Sequence, residues 1–168
     1  KSLVAADGID TPRFEVWDAA TLGARQVPAL PLPVIVKPVD QGSSVATSIV
    51  REPAAFLSAV CQALDAFRRA LVEEFIVGEE ITVGIVGAQA LPPICVRPKR
   101  SFYDYAAKYE DDATEYLFDA GHPAELLERA QTLSKRVFDR LGCRHLARVD
   151  WMVDRAGRLW FLEINTLP

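Results

Sequence analysis

Cysteine is too scarce and too scattered in this chain to build a scaffold. The three residues, Cys61, Cys95 and Cys143, are odd in number, far apart and free of Cys-x-x-Cys spacing. That excludes a disulfide framework and a cysteine zinc site and leaves reduced thiols that pack as small hydrophobes. A basic surplus is missing as well, since 19 Lys and Arg stand against 23 Asp and Glu for a formal net charge of −4. With no positive footprint, nucleic acid and anionic membrane surfaces are poor partners, and a small molecule is the expected one. No run approaches the roughly 18 apolar residues of a membrane span. The N-terminus carries no signal-peptide core, so a cytoplasmic location is expected. What remains is globular: of 168 residues, 50% are hydrophobic, enough for one compact domain or two small lobes and too much for disorder.

Along the chain, residues 1–6 read as the tail of a helix stopped by Asp7-Gly8, and 13–17 as an extended segment. Residues 18–32, with Pro28 and Pro31, read as a connection to the β-branched strand 33–38, which ends at Lys37-Pro38. Glu52-Pro53 opens a helix in which Phe56, Leu57, Val60, Leu64 and Phe67 recur at helical spacing and Arg68 and Arg69 close the C-terminus. Three strand-like runs, 71–76, 80–86 and 90–96, suggest an antiparallel meander. The stretch 97–113 is too long for a plain connection and reads as a lid. His122-Pro123 starts a second amphipathic helix that stops at Gly142, and 146–153 with 158–165 form a hairpin through Asp154-Arg155-Ala156-Gly157. The expected class is α+β, with lobes at 1–80 and 81–168 around a cleft.

Three constellations carry chemistry. Strand alternation puts Arg148 and Asp150 on one face, with Val149, Trp151 and Val153 on the other; Glu163 and Asn165 likewise share a face, opposite Trp160, Leu162 and Ile164. If the turn brings the two polar pairs to one side, Asp150, Glu163 and Asn165 form an all-oxygen site suited to magnesium or manganese, with Arg148 beside it for an oxyanion. The register stays open, because Gly157 is a place where a bulge shifts pairing by one residue. A plain Arg148–Asp150 ion pair on an exposed sheet face, with Glu163 merely solvated, fits the same pattern.

The second constellation, 37–45, is a strand ending in lysine followed by a small polar loop. Lys37, Gly42 and Ser43 resemble a phosphate grip, although not the Gly-x-x-x-x-Gly-Lys-Ser/Thr loop that leads into a helix. An ordinary polar turn after an edge strand reads the same way. The third mixes Lys99, Arg100 and Lys108 with Phe102, Tyr103, Tyr105 and Tyr109 in a segment able to close over a nucleotide or to stand as a solvated loop. Glu73, Glu74 and Glu80 flank Ile76-Val77-Gly78, where carboxylates suit a ribose or an amino group but also an exposed edge.

In order along the chain, Val36-Lys37-Pro38 with Gly42-Ser43-Ser44-Val45, Leu71 to Ile76 with Gly78 and Glu80, Phe102-Tyr103-Asp104-Tyr105 with Ala107-Lys108-Tyr109, Ala147 to Asp150, and Leu162 to Pro168 together resemble the D-alanine:D-alanine ligase family of the ATP-grasp superfamily. The resemblance implies the ATP-grasp fold, two α/β lobes with mostly antiparallel sheets sandwiching ATP. It implies Lys37 on the phosphates, Glu73, Glu74 and the backbone near Ile76 at the adenine, Glu80 on the ribose, and Asp150, Glu163 and Asn165 on two magnesium or manganese ions. It further implies ligation of two D-alanines through an acyl phosphate, for peptidoglycan precursors, with Arg148 on the oxyanion, Lys108 on the transferring phosphoryl group, and Ser43 and Tyr109 orienting substrate and lid. A nucleotide-binding module without full activity and a ligase for another carboxylate are the other readings, and a homodimer of the whole enzyme is a further implication. Against the family pattern, a substrate domain before Lys1 and a glycine- and serine-containing segment after Pro168 are absent, and Ala46 replaces a usual glycine. The expectation is an ATP-grasp portion that alone binds nucleotide weakly and makes little dipeptide.

Overall fold

The computed structural model describes residues 1–40, 46–97, 115–118 and 121–166. The chain divides into two compact units, Pro12–Phe75 in one and Lys1–Thr11 with the described residues from Ile76 onward in the other. The break differs from the expected one at 80/81, because Gly78–Val86 is a single uninterrupted strand whose first residues already pair within the second unit.

In the first unit, β1 (Phe14–Trp17), β2 (Val34–Pro38), β3 (Ser48–Val50) and β4 (Ala70–Glu74) make an antiparallel sheet in the order β1-β4-β2-β3. Two short elements here were not expected from the sequence. The strand β3 is one, and the other is α2 (Ala19–Ala24), capped by Asp18, whose carboxylate accepts from the Thr21 amide at 2.8 Å and hydroxyl at 2.9 Å. The Asp-x-x-Thr spacing was the available signal. Helix α3 (Pro53–Phe67) begins with proline at its first turn, as expected, and its C-cap Arg68 takes a left-handed φ of 62°. Alternation explains the layering: Val34, Val36, Val72 and Trp17 turn toward α3 and its Phe56 and Val60, leaving Ile35, Lys37, Leu71 and Glu73 on the opposite face. The run 70–74 therefore does not join the next strands in a meander, since it is the second strand of this sheet, buried along most of its length. A continuous apolar run names a central strand but not the sheet that contains it.

In the second unit, β5 (Gly78–Val86), β6 (Gln89–Ala90), β7 (Ile94–Arg97), β8 (Glu115–Leu117), β9 (Leu146–Asp154) and β10 (Leu159–Asn165) form a sheet in the order β10-β9-β5-β7-β8, with β6 on β5. Its apolar face, Ile81, Val83, Val149, Trp151 and Phe161, packs in one core with α4 (Ala124–Arg140) and with Val4 of α1 (Ser2–Ala6). Trp151 and Phe161 meet edge to face at 5.7 Å, and the buried indole Nε1 donates to Ser134 Oγ at 2.8 Å, so the sheet and α4 share a polar pin inside an apolar layer. Gly142, at φ 67°, ends α4 as its sequence position suggested. No described helix is long and apolar enough to cross a membrane.

Gly78 begins β5 because nothing larger fits: a Cβ there would lie 2.0 Å from the Val153 carbonyl oxygen. Rigid backbone rather than a flexible side chain blocks the space, so Gly78→Ala is expected to lower unfolding free energy by about 1–3 kcal/mol in chemical denaturation.

Candidate functional site

The polar face of the second unit's sheet is assembled by alternation on three adjacent strands. Glu80 and Thr82 of β5 pair with Met152 and Asp150 of β9, and Gly84 pairs with Arg148. On the other side of β9, Glu163 faces Asp150 and Asn165 faces Arg148. That last pairing depends on a register shift between Phe161 and Glu163. Phe161 pairs with Trp151 in the core, so an unbroken strand would carry Glu163 to Val149 and Asn165 to Ala147, both buried. Leu162 is the extra residue that turns the acid and the amide to the Asp150 side.

The shift corrects two sequence expectations. It lies at Leu162 and not at Gly157, which serves the turn with φ 75°. Trp160 and Ile164 therefore do not share a face: Trp160 pairs with Met152 on the polar side, while Ile164 pairs with Val149 and packs on the core.

Asp150 is 2% exposed, which demands full compensation of its charge. Among the described residues, four hydrogen bonds supply it. Arg148 donates from Nε to Oδ1 at 2.8 Å and from Nη2 to Oδ2 at 2.9 Å, Thr82 Oγ1 donates to Oδ1 at 2.7 Å, and Asn165 Nδ2 donates to Oδ2 at 3.1 Å. Asn165 Nδ2 also reaches Glu163 Oε1 at 3.2 Å, so both carboxylates converge on one amide. The hydrogen bonds to Asp150 raise the Arg148 pKa above its already high ordinary value, with Glu163 and Glu80 adding smaller electrostatic contributions. Thr82 was not among the expected site residues, although its i+2 spacing from Glu80 on one strand was a usable signal.

This face gathers the carboxylates Asp150, Glu163 and Glu80 around the Arg148 guanidinium. Such an excess of negative oxygen, with no sulfur or imidazole donor in the set, is the chemistry of a hard divalent cation. Turning the Asn165 amide by half a rotation replaces its NH₂ donor with a carbonyl ligand. Among the described residues, no group of three or more His, Cys, Asp and Glu is arranged to hold a metal by itself, so the amide of Asn165 and oxygens from a bound anion would have to complete the shell.

In the first unit, Lys37 and Glu73 meet on the sheet face opposite α3, with Nζ 3.0 Å from Oε1. Glu73 is 1% exposed and Lys37 largely buried, so the lysine is oriented by its acid rather than waving into water. Glu74 points elsewhere, to Arg13 at 2.8 Å on the surface. Ile76 follows β4 in the linking segment, half-buried. Ala46 takes a left-handed φ of 51°, a backbone conformation that favours glycine. Ser43, Lys108 and Tyr109, with the loop 41–45 and most of the lid, lie outside the described residues.

The sequence profile described as "D-ala D-ala ligase C-terminus" matches residues 3–168. The chain is 39% identical to the D-alanine–D-alanine ligase of Chromohalobacter salexigens and 40% identical to that of Syntrophotalea carbinolica, in each case over all of this chain and 54% of the relative. Among solved structures, it resembles the VanG D-Ala:D-Ser ligase of Enterococcus faecalis with a TM-score of 0.85 at 27% identity, covering 99% of this chain and 50% of that one. The D-alanine–D-alanine ligase of Bacillus anthracis matches with a TM-score of 0.80 at 32% identity, covering 99% and 55%. A second structure of the Bacillus anthracis ligase, complexed with ATP, matches with a TM-score of 0.78 at 27% identity over 99% and 53%. The chain thus spans about half the length of the relatives it matches, and its antiparallel sheets are those of the ATP-grasp fold.

Removing the guanidinium leaves a buried carboxylate short of two of its four donors. Arg148→Met is expected to cost about 1–2 kcal/mol at neutral pH, less than a fully buried pair because the Arg148 side chain is 36% exposed. Equilibrium denaturation of both proteins without divalent cations checks it.

Proposed function

Since the chain belongs to the D-ala D-ala ligase C-terminus family, we propose that it is the ATP-binding and catalytic part of an ATP-dependent carboxylate-amine ligase that joins two D-alanines for peptidoglycan precursors in the cytoplasm. The observation that carries the reading is the convergence of Asp150, Glu163, Asn165 and Arg148 on one sheet face of a chain of this family. In the proposed reaction, the carboxylate of the first D-alanine attacks the γ-phosphorus of ATP, forming an acyl phosphate and releasing ADP. The amine of the second D-alanine then attacks the acyl carbon, and phosphate leaves as the peptide bond forms.

The residues divide these tasks by their chemistry. Asp150, Glu163 and Asn165 would hold magnesium or manganese, two ions by analogy with the family. Such ions neutralise phosphate charge as Lewis acids when bound. Arg148, fixed by two hydrogen bonds to Asp150, presents a planar cation to a developing oxyanion. Lys37, oriented by Glu73, meets a phosphate oxygen, and Glu73 itself is available to an adenine amino group. Glu80 would take the ribose, and Ile76 the adenine edge through its backbone. Glu74 contributes through the chain segment more than through its side chain, which Arg13 holds. Ser43, Lys108 and Tyr109 complete the set as substrate-orienting and lid residues.

The similarity to the D-Ala:D-Ser ligase of Enterococcus faecalis favours one specific second reading in which the acceptor is D-serine. Phosphate release from ATP and magnesium, measured with D-alanine alone, with D-alanine plus D-serine and with neither, separates the two. Dependence on D-alanine alone supports the first reading, and mixed-dipeptide product supports the second. Nucleotide binding with no turnover in any mixture would leave a nucleotide-binding module. In the natural chain containing this segment, Glu163→Gln is expected to cut turnover roughly a hundredfold or more while leaving the melting temperature nearly unchanged. Near-native turnover in that variant removes Glu163 from the metal set.

A further inference from the structure

Asp150 stands on the middle one of three adjacent strands and is gripped from both neighbours. In the order β10-β9-β5, Glu163 pairs with Asp150 from one side and Thr82 from the other. Thr82 Oγ1 donates to Asp150 Oδ1 at 2.7 Å. Arg148 Nε reaches the same oxygen at 2.8 Å, so both lone-pair directions of Oδ1 are filled. Oδ2 accepts from Arg148 Nη2 at 2.9 Å and from Asn165 Nδ2 at 3.1 Å. Once the Asn165 amide turns its carbonyl inward, Oδ2 regains a lone pair, and this is the oxygen that β10 reaches. Of the donors then left, Arg148 touches both oxygens alike. Only Thr82 tells them apart.

We infer that Thr82 is a positioning residue for the cation ligands: by occupying Oδ1 from β5 it commits Asp150 to bind a cation through Oδ2 alone, on the side of Glu163 and Asn165. Threonine suits this task. Its β-branch restricts χ1, so the hydroxyl is held on the strand rather than searching for a partner. The hydroxyl is also neutral, and it satisfies a buried lone pair without adding a positive charge that would oppose a divalent ion. Ligating carboxylates are oriented by such outer partners. Without the hydroxyl, a carboxylate that is 2% exposed lacks a donor on Oδ1. The other uncharged donor to it, Asn165, lies across β9, so the carboxylate is drawn that way. Among the described residues, the Thr82 hydroxyl donates to Asp150 and to neither Glu163 nor Asn165, so its effect passes through the Asp150 side chain. The inference deepens the cation reading of this face and rests on it for the consequence for binding, whereas the orientation of Asp150 does not depend on that reading.

Two readouts on the natural chain containing this segment test it. The Asp150 side-chain conformation is read from crystals grown without divalent cations, and Mn²⁺ affinity without nucleotide is read from the electron paramagnetic resonance signal of the free ion. Thr82→Val, which keeps the β-branch and removes the hydroxyl, is expected to turn the Asp150 carboxylate from its wild-type position and to lower Mn²⁺ affinity about tenfold, as loss of a ligand's outer partner does. Thr82→Ser, which keeps the hydroxyl and drops the methyl, is expected to hold both at their wild-type values. An unmoved Asp150 carboxylate in Thr82→Val overturns the inference, as does wild-type Mn²⁺ affinity in that variant when the wild type binds the ion. A serine variant that behaves like the valine also overturns it, because packing of the methyl would then be the cause. If the wild-type chain binds no Mn²⁺ while Thr82→Val still turns Asp150, the orienting role is supported and the cation reading fails.

Discussion

Between Phe161 and Glu163 the outer strand of a hairpin carries one residue more than its partner, and the two sides of that point have opposite chemistry. Above it, Phe161 and Trp151 pack edge to face in a buried core. Below it, Glu163 and Asn165 stand beside Asp150 and Arg148 on the other face. Period-two alternation allows no such change within a continuous strand, since a strand that buries Phe161 also buries the residues two and four positions on. Burying an acid and an amide against Val149 and Ala147 would cost far more than one interrupted ladder. The bulge is thus the lowest-cost way for one short strand to serve both a core and a polar site.

Compensation of buried charge is the second principle, and both units use it separately. Asp150 is held by four donors, of which the guanidinium supplies two in the fork geometry that suits a carboxylate. Glu73 is held by Lys37 on the face of the other sheet that α3 leaves uncovered. In each case the apolar face of a helix covers one side of an antiparallel sheet and an ion pair occupies the other. Buried pairs of this kind add little stability compared with apolar packing, so their presence in both units fits side chains retained to meet a charged ligand. The cluster around Asp150 is already built for positive charge, which Arg148 and the Asn165 amide supply here and to which a divalent cation would add under the proposed function.

Much of this was readable in the residues themselves. Helical periodicity in 53–67 and 124–140, glycine at the end of α4, the β-branched run before Lys37 and the polar alternation in 148–150 depend on neighbours only a few positions away, which local sequence reports directly. Five motifs in order, at 36–45, 71–80, 102–109, 147–150 and 162–168, together marked a family resemblance that the comparisons bear out. Other features depend on which strands meet. The run 70–74 names a buried strand but not its sheet, and the short strand 48–50 exists because β2 is there to pair with it. Tertiary structure alone decided that Lys37 pairs with Glu73, that Thr82 reaches Asp150 across β5 and β9, and that the extra residue is Leu162 and not Gly157. The physical reason is that side-chain direction in a strand is local, whereas register is a property of two strands that meet only in the folded chain.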